Sequence, residues 1–182
     1  WTVPARHDER RYAIFHVGER RKRDSEFFGA IAAEMRAGGY GALMRHLLDF
    51  DLDRVDVRSI PHTDALAEEK ITGLRGVQAW WHETLADGRL PSCDDDWSAG
   101  AVKVRTDALR GAFDEWMKGR RHHGDLLTAD QFGRELKAMC PASENKLSRV
   151  GGGKRTYVYV LPRLEVSRAE FARWLDSEVQ WP

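Results

Sequence analysis

The stretch TADQFGRELKAMCPASENKLSRVGGGKRTYVYVL, residues 128–161, carries the strongest structural signals in the chain. Thr128 is a natural helix N-cap, and Gln131 three residues on completes a capping box. Phe132, Leu136 and Met139 then recur at helical spacing until Pro141 ends the run. Residues 154–161 read as a strand, with Tyr157 and Tyr159 alternating against Val158 and Val160. Between helix and strand stand Gly151, Gly152 and Gly153, the tip of a hairpin, preceded by residues 142–150, which have room for one short third helix.

Upstream of this stretch, residues 104–118 predict a helix with Leu109, Phe113, Trp116 and Met117 on one side, followed by a basic turn at 119–124. Downstream, residues 167–175 predict a last helix. Helices followed by a glycine-tipped hairpin is the order of a winged helix. Residues 87–100 hold Gly88, Pro91, three consecutive aspartates and Gly100 without periodicity, which places a linker at 88–101. Before it, Phe27, Phe28, Ile31 and Met35 mark a helix over 24–37, capped by Asp24 or Ser25 and stopped at Gly38 and Gly39. Leu43, Leu47 and Leu48 continue the pattern over 40–50, so a glycine corner joins two helices expected to pack on each other. Residues 51–61 read as a loop. Thr63 caps a helix through Ile71, a break falls near Gly73, and residues 77–85 carry Trp80 and Trp81. Tyr12 to Val17 alternates aromatic and aliphatic residues and suits a short buried strand. The expected architecture is mainly α with short β elements, in a first unit over 1–87 and a second over 102–182.

With 42% hydrophobic and 32% charged residues, 182 residues suffice for one ordinary domain or two small ones, and a disordered tail is excluded. Twenty-nine basic side chains balance 29 acidic ones, so any affinity for nucleic acid must come from a local patch and not from net charge. Cys93 and Cys140 form no CxxC, which argues against a disulfide framework and a zinc knot and favours a reducing cytoplasm. No apolar run reaches the roughly 18 residues of a membrane span, and no signal-peptide core is visible. The chain opens at Trp1 as if in the middle of something, so a fragment is one expectation.

The sharpest local asymmetry lies between Asn145 and Leu164, where Lys146, Arg149, Lys154, Arg155 and Arg163 stand without an acid. Cations flanking a glycine-tipped hairpin can reach phosphates, and Lys146, Arg149, Lys154 and Arg155 are the expected DNA contacts; the rival reading is a solvated hairpin. Gly153-Lys154 is not a phosphate-binding loop, because position 148 is Ser, position 155 is Arg and the run enters a strand. Arg10 and Arg11, backed by Asp8 and Glu9, can serve as guanidiniums for a γ-phosphate at a subunit boundary or simply as surface. The run Arg20 to Arg23 lacks aromatic residues among its cations and reads as a solvated face. His122, His123 and the Asp94 to Asp96 run make a poor metal site, since adjacent histidines point apart; no metal is expected. His46, His62 and His82 have no nucleophile at a telling spacing, which leaves an autonomous enzyme without candidates.

WTVPARHDERRYAIFHV at 1–17 resembles a segment of the phage and plasmid primase-helicases of helicase superfamily 3, where Trp-x-Val-Pro leads to an acidic-Arg-Arg-aromatic motif. GGYGALMRHLLDFDLDRVDVRSIPHTDAL at 38–66 and ITGLRGVQAWWHETL at 71–85 are similar to that family's helix pair and the helices after it. LTADQFGREL at 127–136 and LPRLEVSRAEFARWL at 161–175 resemble its winged-helix tail. The resemblance implies the helical lid of an AAA+-like motor followed by a winged helix, in a protein of phage or prophage DNA replication. It makes Arg10 or Arg11 an arginine finger acting in trans on a neighbouring subunit. ATP and magnesium would belong to the parent helicase, whose nucleotide-binding motifs lie upstream, so this chain alone should be inactive. The implied partners are single-stranded or forked DNA, the rest of the motor and a homo-oligomeric ring. The alternative is an oligomerisation or partner-recruitment module without DNA binding.

Overall fold

The computed structural model describes residues 7, 12–56, 59, 61–91, 93, 95–120, 127–149 and 155–182. Among them the chain is mainly helical: α1 Ser25–Glu34, α2 Tyr40–Leu48, α3 Asp64–Gly73, α4 Gly76–Asp87, α5 Thr106–Gly119, α6 Ala129–Met139 and α7 Leu164–Leu175. Three antiparallel strands, β1 Val102–Arg105, β2 Glu144–Arg149 and β3 Arg155–Leu161, form one sheet in the order β1–β3–β2.

Local chemistry explains most of the boundaries. Thr128 accepts a hydrogen bond from the Gln131 amide while the Gln131 side chain accepts from the Thr128 amide, the expected capping box of α6. Thr63 caps α3 through the Leu66 amide, and Asp24 caps α1 through the Phe27 amide at 3.0 Å. That bond, with the nearby Arg21 guanidinium, holds the Asp24 carboxyl below the usual range. α4 ends at Gly88, whose φ of 65° is the left-handed C-cap that glycine tolerates best. At the corner between α1 and α2, Gly38 takes a φ of 119°.

Two expectations about strands are corrected. Among the described residues of 142–150 there is no helix; Glu144–Arg149 is β2, paired with β3 from Glu144↔Val160 to Arg149↔Arg155. The segment has too few apolar residues to give a helix a buried face, whereas β3 offers it a full ladder of hydrogen bonds. Conversely, residues 12–17 form no strand, because no described strand lies alongside to pair with them, and Phe15 and Val17 are exposed. The Thr63 hydroxyl donates to the Ile14 carbonyl and His16 meets Glu68 at 3.1 Å, so this segment runs beside the start of α3. A further strand, β1, starts the second half: Val102 and Val104 point into the core, and α5 begins only at Thr106.

The core is one cluster. Trp80 of α4 lies 5.7 Å from Phe113 of α5 and 5.6 Å from Phe132 of α6, ring centre to ring centre, and Leu136, Leu161, Phe171 and Leu175 close around them. The segment read as a linker is no gap in it: Leu90 and Trp97 are buried in the same cluster. α4, which the sequence put in the first unit, thus contributes Trp80, Trp81 and Leu85 to the core of the second half, and Ile71 of α3 packs against it. The buried Lys70 of α3 reaches across to α7, donating to the Leu175 and Asp176 carbonyls at 2.9 and 3.2 Å. Arg168 of α7 likewise donates to the Leu85 and Ala86 carbonyls that end α4.

α1 and α2 stand apart from this core. Among the described residues none before Ala65 is buried. The apolar stripes do not close on each other as expected: Phe28, Met44, Leu47 and Leu48 are 55 to 75% exposed.

Candidate nucleic-acid interface

α6 lies with Phe132, Leu136 and Met139 in the core, so helical geometry turns positions 130, 134 and 137 outward. β2 runs beside it, and the two elements wall a groove of about 800 Å³ lined by Asp130, Gly133, Arg134, Lys137, Asn145 and Lys146, among others. Gly133 leaves room for this close approach: a Cβ there would stand 3.1 Å from the Tyr159 hydroxyl.

The cations of the groove differ in how they are occupied. Lys137 caps the end of its own helix, donating to the Pro141 and Ser143 carbonyls at 2.6 and 2.5 Å. Lys146 pairs with Glu144 at 2.6 Å and thereby holds the Glu144 carboxyl below its usual range. Arg134 is exposed and makes neither ion pair nor hydrogen bond among the described residues. No sequence motif marks it; its signal is its place opposite Phe132 and Leu136 on the helix.

Beyond the groove the hairpin carries the second cationic feature. Arg149 and Arg155 are cross-strand partners at the outermost described rung of β2 and β3. Both are exposed, and neither has an acidic partner among the described residues. Like charges directly opposite on an antiparallel pair repel, so this rung costs the hairpin stability unless an anion sits between them. The acid-free window read in the sequence is closed at both ends by acids just outside it, Glu144 on Lys146 and Glu165 on Arg163. Among the described residues of the window, what remains uncompensated is the Arg149–Arg155 pair.

Of the expected DNA contacts, the structure thus brings Lys146, Arg149 and Arg155 onto one hairpin, whereas Lys154 lies outside the described residues. Arg10 and Arg11 also lie outside them, as do His122, His123 and Asp94.

Burial pushes the Cys140 thiol up to about 12, far from a thiolate at neutral pH. The Ser143 hydroxyl is buried and spends its proton on the Cys140 carbonyl. Burial lowers the affinity of His82 for a proton, with Glu83 opposing, and the ring packs against Phe171 and Trp181 at 5.7 and 5.5 Å as a core-edge aromatic. Among the described residues, no three His, Cys, Asp or Glu side chains gather as metal ligands. Among the same residues, no helix is long and apolar enough to cross a membrane. No protein-family model, curated protein or solved structure matches the chain.

Proposed function

We propose that α4 to α7 with the three strands act as a winged-helix unit that binds DNA, in the C-terminal part of a phage-type replicative primase-helicase. The element order helix–strand–helix–helix–hairpin and the strand order β1–β3–β2 support the winged-helix reading, with α6 as the groove-facing helix and β2–β3 as the wing. The observation that carries DNA binding is the Arg149–Arg155 rung: two guanidiniums held opposite each other with no described counter-charge are what a bridging phosphate would satisfy. Arg134 adds a further cation in the groove beside α6. In this reading the hairpin holds backbone phosphates while α6 lies against the duplex. ATP and magnesium would be bound by the upstream motor, with Arg10 or Arg11 reaching the nucleotide from a neighbouring subunit.

Fluorescence anisotropy with labelled duplex, single-stranded and forked DNA tests the proposal. Replacing both Arg149 and Arg155 by Ala should weaken binding to every DNA by about tenfold or more at moderate salt. Equal affinity of the double variant and the wild type would refute it.

One observation favours the second reading, a module for assembly. Among the described residues, 14 of the 17 exposed large apolar side chains lie between Tyr12 and Val55, most of them on α1 and α2. At about 200 Å² per large side chain, the exposed fraction on and just after these helices comes to roughly 1,000 Å², beyond the few hundred expected of a monomer's largest patch. Such a surface suits packing on the rest of a motor or on a neighbouring subunit. Concentration-dependent sedimentation that is abolished by Leu47→Glu, without any DNA binding by the wild type, would establish this reading in place of the first.

A further inference from the structure

We infer that Tyr157 is a base-stacking residue, and that the exposed face of the hairpin takes an unpaired nucleotide, its base on Tyr157 and its phosphate between Arg149 and Arg155. The inference rests on the DNA-binding reading above and specifies which part of a DNA the hairpin holds.

Alternation along antiparallel strands puts every second residue on one face, and the pairing fixes which residues share it. Asn145↔Tyr159, Leu147↔Tyr157 and Arg149↔Arg155 are successive rungs of the same face. Environment changes sharply along them. Tyr159 is buried, its ring 6.5 Å from that of Phe132. One rung outward, Tyr157 is 63% exposed and Leu147 is 52% exposed. The next rung is the arginine pair. The tyrosine ring has no aromatic or cationic neighbour among the described residues, and its hydroxyl has no hydrogen-bond partner there.

The chemistry of these two rungs selects the ligand. An exposed aromatic flanked by an aliphatic side chain offers a flat apolar seat, and stacking on such a seat is tolerant of base identity. Two residues along a strand are about 6.6 Å apart, so the arginines stand one short step from that seat, comparable to the reach from a base to its own phosphate. A paired base inside a duplex cannot present its face to the ring; an unpaired one at a single strand, a fork or a frayed end can. An acidic peptide would satisfy the arginines but has no flat face for the tyrosine; a phosphate contact from the hydroxyl is the rival to stacking, and Tyr157→Phe separates the two.

The test compares Tyr157→Ala, Tyr157→Phe and wild type in the full chain, on a forked DNA, on the same fork with abasic sites in its arms, and on a blunt duplex. The expected result is a loss of fork affinity of about tenfold in Tyr157→Ala, restoration by Tyr157→Phe, and blunt-duplex affinity within twofold throughout. The abasic fork should bind the wild type as weakly as the normal fork binds Tyr157→Ala. Equal losses on fork and duplex, or no loss on the fork, would overturn the inference while leaving DNA binding intact. Failure of the wild type to bind any of the three DNAs would overturn both readings together. Circular dichroism of Tyr157→Phe and Tyr157→Ala confirms that the exposed side chain is not needed for folding.

Discussion

The Trp97 ring packs on the Trp81 ring with 5.8 Å between centres, and the Trp97 indole N–H donates to the Pro162 carbonyl at 2.7 Å. A residue in an aspartate-rich connection thereby ties α4 to the segment between β3 and α7. Replacing Trp97 by Ala should cost about 3–5 kcal/mol, the range for deleting a buried aromatic, with the hydrogen bond to Pro162 lost as well. Chemical denaturation checks this; a loss under 1 kcal/mol would mean that the segment is not part of the core.

Lys70 gives a second stability prediction. Its buried ammonium satisfies the Leu175 and Asp176 carbonyls where α7 ends in a left-handed residue. Lys70→Met keeps most of the side-chain volume but leaves those carbonyls without this donor, and should destabilise by about 2–3 kcal/mol. The loss should also loosen α7 against α3, seen as faster amide exchange at the end of α7 than in α6.

His82 predicts a pH dependence. Burial against Phe171 and Trp181 holds its folded-state proton affinity below that of the unfolded chain. The unfolded state therefore takes up a proton first as pH falls below about 6.5, and stability should drop from that point down through the folded-state value. Above pH 7 the contribution is constant. In His82→Leu the part of the acid-side loss that comes from this ring should vanish, measurable as a flatter Tm-against-pH curve between pH 7 and 5.

The arginine rung separates function from stability. Arg149→Glu places an acid opposite Arg155, exchanging repulsion for an ion pair in the same register. Its thermal midpoint should equal or slightly exceed that of the wild type, while DNA affinity falls by at least tenfold. A fold weakened in step with binding would instead mark the rung as structural.

Much of this fold is legible because its signals are local. Thr128 with Gln131, Asp24 before α1 and Thr63 before α3 announce their helices within three residues. Elements set by distant partners are not legible in that way. β2 has no strand pattern of its own and exists because β3 pairs with it along its length, while β1 is four residues that pair with β3 more than fifty residues later. Tyr12 to Val17 has the strand composition but no described strand beside it to pair with. Trp97 is hidden in a stretch whose aspartates read as solvated. The cationic hairpin was visible as an acid-free window, but its unpaired core could be found only from pairing: Arg149 opposite Arg155, with Lys146 and Arg163 neutralised by acids just beyond the window. Arg134 likewise emerges only once the buried face of α6 is known.

The most direct measurement is the affinity for forked DNA across a salt series, for the wild type and for the variant with Ala at both 149 and 155. The account predicts binding whose logarithm falls linearly with log salt, and a slope shallower in the variant by about 0.7–0.9, the release expected for one phosphate contact. Salt-independent binding, or the same slope in both proteins, would contradict it.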